Sequence, residues 1–316
     1  MSELNPVVGV SIHVVLALFG FTGNIFILII HFLDWLKTRE VNPCDLIINC
    51  IVLSNNFLQG TVLFNEICFF MFLAFYAQNW VINVLATMMS SLAFSSLWCS
   101  TCLCFYYCVK IINLSGTCFY KLKSALPLMV PWLLISSIAL SWTMGLPAYW
   151  DLYTTTFFPI HNSTRNETLT VSMTIRSRCK CLFPIYMIVS AIAFTIIFIT
   201  AGTIIFSLCM HMRRMKQSSE TSGASKVGSH LSAAKTITLL LILYLVFYGA
   251  LNTIFNETTE IGTWYFSLCF ITIATFPVIN AIILITGNRK LSNAIKKLLG
   301  INSGNVAADE MNVSKS

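Results

Sequence analysis

Residues 182–210 read LFPIYMIVSAIAFTIIFITAGTIIFSLCM, without one Asp, Glu, Lys, Arg or His, and residues 211–216 follow at once as HMRRMK. An α-helix rises about 1.5 Å per residue, so about 20 apolar residues cross the hydrocarbon core of a bilayer. This run exceeds that length and stops at a basic cluster, as a span does where it meets the cytosolic surface. Lipid offers no partner to backbone N–H and C=O groups, so the span is predicted to be a helix.

Six further runs of the same kind flank it, at residues 7–32, 46–70, 81–108, 126–146, 231–253 and 264–286. Glu66, near the end of the second, is the one charged residue well inside a run. The fold class predicted is all-α, a bundle of seven transmembrane helices. After the seventh run, Leu291, Ala294, Ile295, Leu298 and Leu299 recur at helical spacing beside Lys296 and Lys297. Residues 288–299 therefore read as a short amphipathic helix lying on the inner leaflet. Residues 1–299 form one receptor-like domain on this reading, and the polar tail 300–316 is expected to be disordered.

The loops set the orientation. Lys37, Arg39, Lys110, Lys121, Lys123, Arg213, Arg214, Lys216, Lys226, Lys235, Arg289, Lys290, Lys296, Lys297 and Lys315 fall on one side, and only Arg165, Arg176, Arg178 and Lys180 on the other. The positive-inside rule puts the rich side in the cytosol. An odd number of spans then leaves the N-terminus outside and the C-terminus inside. The long loop between the fourth and fifth spans carries Asn162-Ser163-Thr164 and Asn166-Glu167-Thr168, both N-glycosylation acceptors on the outer side. Asn113-Leu114-Ser115 has the same pattern but is expected in the cytosol, without sugar.

Composition agrees. Charged residues make up 10% and hydrophobic ones 57% of 316 residues, and mean hydropathy is +0.79. A soluble domain carries about 25% charged residues, so the solvent for this chain is a lipid bilayer. The net charge of +7 does not point to nucleic acid, because the basic residues form short clusters between apolar runs. No basic n-region for a cleavable leader is read at the N-terminus. The twelve cysteines lie mostly in apolar runs, where Cys behaves as a small hydrophobe. Cys99, Cys102, Cys104 and Cys108 spread around one apolar helix and are not read as a metal site. Cys68, Cys179 and Cys181 are near the outer side, and the spacing leaves any disulfide pairing among them open. There is no Gly-rich phosphate loop, paired-His motif or nucleophile elbow, so no enzyme, catalytic residue or cofactor is expected.

Polar groups inside spans mark interior faces. Asn24, Asn55 and Asn280 are candidates for one network, as helix glue or as a switch. Asn83, Thr87, Ser90 and Phe94 share one face of the third span, which either packs or lines an outward cavity. A channel or proton-coupled carrier would bury ionisable groups. Their scarcity favours a receptor that rearranges its helices.

The chain resembles the type 2 (bitter) taste receptors, a branch of the G-protein-coupled receptors. Gly23-Asn24-Ile25-Phe26-Ile27, Asp45-Leu46-Ile47 and Leu53-Ser54 match stretches of its first two helices. The longest match runs through Trp98, Thr101, Cys102, Leu103, Tyr107, Lys110, Ile111, Asn113, Ser115, Phe119, Leu122 and Lys123. Ser207-Leu208, His211 and Met215 close the fifth span, His230, Ala233 and Thr236 open the sixth, and Ile285, Gly287-Asn288, Lys290 and Leu291 end the seventh in the same way. Asp-Arg-Tyr and Asn-Pro-x-x-Tyr, marks of rhodopsin-like receptors, are absent, as in this family. Departures are Asn55 where Arg is usual, Asn280-Ala281 for His-Pro, and Ala193 for Pro. Met89, Ala93 and Phe270 replace more polar or charged pocket residues. A divergent, non-mammalian member with a more apolar pocket fits these changes.

The resemblance implies a plasma-membrane receptor for small bitter agonists, coupled to a heterotrimeric G protein with a gustducin-like α subunit. Its expected ligand-binding residues are Met89, Ser90, Ala93, Phe94, Phe247, Tyr248, Phe266 and Phe270. The expected G-protein-facing residues are Tyr107, Lys110, His211, Arg214, Lys216, His230 and Lys235, although plain topology explains any single Lys or Arg as well. A vomeronasal type 1-like pheromone receptor is the nearest alternative. A transporter or channel, or a membrane protein without a ligand, comes further behind.

Overall fold

The computed structural model describes residues 6–111, 117–157, 172–179, 182–218, 224–255 and 264–300. Seven helices in it are long and apolar enough to cross a membrane. They are α1 (Pro6–Thr38), α2 (Pro43–Met71), α4 (Asn79–Ile111), α5 (Thr117–Gly145), α7 (Leu182–Ser218), α8 (Ala224–Phe255) and α9 (Trp264–Gly287). Each covers one predicted run and extends past most of its ends, except that α5 stops at Gly145, one residue short of the run ending at Leu146. Two single-turn helices, α3 (Leu73–Tyr76) and α6 (Ala148–Asp151), sit in connections, and α10 (Arg289–Leu298) follows α9.

Local chemistry sets the ends. Arg39 takes a left-handed φ of 57° and donates its N–H to the Trp35 carbonyl, which closes α1. Asn42 caps α2 by accepting from the Cys44 N–H at 3.1 Å, with Pro43 in the first turn where it forfeits no helical bond. Asn288 repeats the device for α10, accepting from the Lys290 N–H at 3.0 Å. Leu291 of α10 is fully buried while Leu298 and Leu299 stay exposed, as befits an amphipathic segment.

α4 is the axis of the bundle. It packs against α2, α5, α7 and α8, and is buried around most of its circumference. That is why its sequence shows no apolar face: a helix surrounded by neighbours is apolar all round. α1, α2 and α9 close one side, α5, α7 and α8 the other. Large apolar side chains cover the outside, among them Trp132 at 74% and Phe198 at 69% exposure. Water would not tolerate such a surface, and acyl chains suit it. Buried or lipid-facing hydroxyls are satisfied inside their own helices, as where Ser141, Thr195 and Thr203 donate to the carbonyl four residues back.

Close approach fixes two crossings. A Cβ added at Gly145 would strike the side chain and backbone of Ser91, and one at Gly287 would strike Thr236. Glycine is what allows α5 to meet α4, and α9 to meet α8, at those points.

One element stands outside the helical expectation. Between α6 and α7, β1 (Leu152–Phe157) pairs antiparallel with β2 (Ser172–Ser177), Leu152 opposite Ser177 and Phe157 opposite Ser172. LYTTTF and SMTIRS are rich in β-branched and aromatic residues, which favour an extended pair. The acceptors Asn162 and Asn166 lie outside the described residues, as does Asn113.

Candidate functional site

An aromatic cluster fills the bundle between the hairpin end and its middle. Phe94 of α4 lies 5.4 Å from Tyr186 of α7 and 5.8 Å from Tyr248 of α8, centroid to centroid. Phe194 of α7 meets Tyr248 edge-on at 5.6 Å, and Phe247 meets it at 5.4 Å. On α9, Phe266 and Phe270 stack at 4.8 Å. Met89, Ala93, Phe94, Phe247, Tyr248 and Phe270 belong to one buried core with Phe266 packed on it, and Ser90 is buried on the same helix. The rings fill the interior between these helices, so a bound molecule would part them.

Hydroxyls in this region are left over. Those of Thr87, Ser90, Tyr186 and Tyr248 are buried and have no hydrogen-bond partner among the described residues. A buried polar group without a partner costs about 1–3 kcal/mol, so these hydroxyls are free to pair with water or with a bound molecule. Apolar walls with a few polar points are the make-up of a small-molecule site. The stripe read on the third span is divided. Thr87, Ser90 and Phe94 turn inward, but Asn83 donates to the Tyr149 carbonyl at 2.8 Å and ties α4 to α6. Tyr186 and Phe194 were not singled out by sequence, because α7 is apolar on every side and shows no face. Their spacing of two helical turns, with Ser190 midway and buried, is the signal that could have found them.

Below the cluster lies a polar hub. Tyr244 donates to the Ser96 carbonyl at 2.8 Å, and its oxygen sits 2.8 Å from the Ser96 hydroxyl and 2.7 Å from that of Ser100. Ser96 donates to the Asn55 Oδ1 at 2.7 Å, and the Asn280 amide donates to Tyr244 at 3.4 Å. Asn55 and Asn280 are thus joined through Ser96 and Tyr244. Asn24 is fully buried, and among the described residues neither of its amide atoms has a partner. Gln59 donates to the Ala274 carbonyl at 3.1 Å, next to the Ile273 carbonyl that Pro277 cannot serve. Phe276 links hub and cluster, lying 5.0 Å from Tyr244 and 4.2 Å from Phe247.

At the α10 end, Lys290 bridges Asp34 at 2.6 Å and Asp45 at 2.8 Å. Burial pulls the Lys290 ammonium down, and its hydrogen bonds to the two carboxylates outweigh that and hold it above the usual lysine range. Cys44 contacts the half-buried Tyr107 hydroxyl at 3.4 Å, Lys110 reaches the Tyr106 hydroxyl at 3.4 Å, and Lys235 is exposed. His211, Arg214 and Lys216 fall in α7 and His230 in α8, and their side chains lie outside the described residues.

At the hairpin end, the Asp151 carboxylate accepts from the Cys179 N–H at 2.7 Å. Cys179 is disulfide-bonded and Cys68 is a free thiol, so Cys68 is not its partner. Cys181 lies outside the described residues. Glu66 faces His13 of α1 at 3.9 Å, both buried.

A family model described as "Taste receptor protein (TAS2R)" matches residues 1–302. The chain is 29% identical over 302 residues to taste receptor type 2 member 39 of Homo sapiens, covering 94% of this chain and 88% of the relative. It is 26% identical over 292 residues to taste receptor type 2 member 41 of Rattus norvegicus, with 92% and 94% covered. Taste receptor type 2 member 7 of Papio hamadryas is 26% identical over 285 residues, with 89% of each chain covered.

Proposed function

The chain belongs to the type 2 taste receptor family, bitter-taste receptors of the G-protein-coupled class, and on that premise we propose that it detects small bitter molecules through the aromatic cluster of α4, α7, α8 and α9. The observation that carries this reading is the set of unpartnered hydroxyls on Thr87, Ser90, Tyr186 and Tyr248 beside buried rings. Met89, Ser90, Ala93, Phe94, Phe247, Tyr248, Phe266 and Phe270 line the site, with Tyr186 and Phe194 added. An agonist here is largely apolar, with one or two hydrogen-bonding groups. The Met and aromatic walls suit broad recognition.

The receptor sits in the plasma membrane with the hairpin end outside and the α10 end in the cytosol. Fifteen of nineteen Lys and Arg on the latter side support that orientation. Asn162 and Asn166 carry sugar on the outside. An agonist that prefers the active arrangement shifts the helix population toward it. The cytosolic ends then admit a heterotrimeric G protein with a gustducin-like α subunit, facing Tyr107, Lys110, His211, Arg214, Lys216, His230 and Lys235. The family match is to taste receptors and gives the pheromone-receptor alternative no support.

The test is calcium signalling in cells expressing the chain with a promiscuous Gα subunit, against a panel of bitter compounds. A saturable response that Tyr248→Ala and Phe270→Ala abolish, at equal surface expression, is expected. A response indifferent to both substitutions places the ligand elsewhere.

A further inference from the structure

A second cavity lies at the α10 end, between α1 and α2 and away from the aromatic cluster. Its volume is about 550 Å³, inside the ~300–1,000 Å³ range of small-molecule sites. The floor is apolar: Leu28, Ile29, Phe32 and Leu46. Phe32 and Ile29 are on the exposed outer face of α1, so the cavity opens toward lipid. The mouth is charged. Asp34, Glu40 and Asp45 contribute three carboxylates, of which Asp34 and Asp45 share the ammonium of Lys290. Among the described residues the Glu40 carboxylate has no ion pair.

Two wall residues carry polar or charged neighbours. His31 lines the cavity and is 4% exposed. Its Nδ1 pairs with the Asn49 Oδ1 at 2.7 Å, while its Nε2 lies 3.4 Å from the Asp45 carboxylate and has no hydrogen-bond partner among the described residues. Trp35, also on the wall, carries the Arg39 guanidinium over its ring at 5.4 Å. Glu40 lines the mouth, and Arg39, the residue before it, reaches the wall through Trp35.

An apolar trough opening to lipid, with the Glu40 carboxylate in its lining and the Arg39 guanidinium stacked on its wall residue Trp35, complements one kind of molecule. It is an amphiphile whose head carries a phosphate and a hydrogen-bearing ammonium in sequence. From this we infer that the α1–α2 cavity is a binding site for phosphatidylethanolamine. Its ammonium donates to Glu40 and toward Asp45, its phosphate meets Arg39, and its acyl chains lie along Leu28, Ile29 and Phe32. Phosphatidylcholine fills the same trough, but its trimethylated nitrogen has no N–H to donate.

The test is native mass spectrometry of the full-length receptor in detergent, loaded with equimolar phosphatidylethanolamine and phosphatidylcholine of matched chains. The ethanolamine lipid is expected to be retained about fivefold over the choline lipid, about what one charge-assisted hydrogen bond provides. Glu40→Gln, on an exposed loop position that leaves the bundle intact, should bring that ratio to about one. A photoactivatable phosphatidylethanolamine should label peptides spanning residues 28–49. Equal retention of the two lipids by the unmodified receptor, or labelling spread evenly over all helices, would show ordinary annular lipid and overturn the assignment. Preferential retention of a sterol over both would overturn it as well.

Discussion

Phe247 and Phe276 lie ring on ring, 4.2 Å apart with their planes 31° from parallel. Phe276 in turn meets Tyr244 at 5.0 Å. The proposed agonist site and the hydrogen-bonded hub below it therefore share a wall. A ligand that parts Phe247 from its neighbours moves the side chain on which the hub rests. Packed interiors answer such displacement by switching arrangement rather than by deforming smoothly.

Tyr244→Phe is the direct probe of that hub. It removes one oxygen that Ser96, Ser100 and Asn280 all approach, leaving buried donors without a partner at about 1–3 kcal/mol. The ring stays, so contact with Phe276 survives. The expected result is altered constitutive signalling with agonist affinity changed less than threefold, read from dose–response curves at matched surface expression. A loss of affinity with unchanged basal activity would assign Tyr244 to the ligand instead.

Phe276→Leu separates contact from chemistry. It keeps an apolar side chain but deletes the rings shared with Phe247 and Tyr244. Agonist should still bind, because Phe276 is outside the proposed lining, while maximal response falls. Radioligand or fluorescent-agonist binding measured beside calcium release distinguishes the two. If both decline together, Phe276 belongs to the site.

Gly145→Ala and Gly287→Ala test the two close crossings. A methyl at Gly145 meets the backbone nitrogen of Ser91 as well as its side chain, so the helices must part. At Gly287 it meets the Thr236 side chain, including the Cβ, which no rotamer change can move. The thermal midpoint of the purified receptor should thus fall by several degrees for both Gly145→Ala and Gly287→Ala. An unchanged midpoint for either variant would mean that the helices at that crossing separate freely.

The seven spans were legible because each exceeds the bilayer thickness with at most one charge, near an end, and the amphipathic α10 because its period is clean. Asn55 and Asn280 were legible as polar groups in lipid. Tyr244, which joins them, was not: in an apolar run a tyrosine reads as another aromatic, and only the folded bundle places its hydroxyl against Ser96 and Ser100. The same holds for Tyr186 and Phe194 on a helix apolar all round. The β1–β2 hairpin was hidden in a loop read mainly for its glycosylation acceptors. The α1–α2 cavity depends on how two helices diverge, which no periodicity encodes.

The Lys290 bridge offers the last test. Asp34 comes from α1, Asp45 from α2 and Lys290 from α10, so one ammonium holds three elements together. Lys290→Met leaves two carboxylates facing one another without a cation, and the thermal midpoint should fall. Adding Asp45→Asn removes one of the stranded charges and should recover part of the loss, the signature of coupled neighbours. The pH dependence follows from sign. The folded-state pKa of Lys290 is raised above that of the unfolded chain, so its contribution is complete below the unfolded value and is lost only as pH climbs through the folded one. With an ordinary lysine value of 10.5, that window is strongly alkaline. On the Lys290 side, then, the difference in midpoint between the unmodified receptor and Lys290→Met should stay flat from about pH 6 to pH 9. A double variant no more stable than Lys290→Met would show that the carboxylates are fully solvated and that the bridge holds α10 by geometry alone.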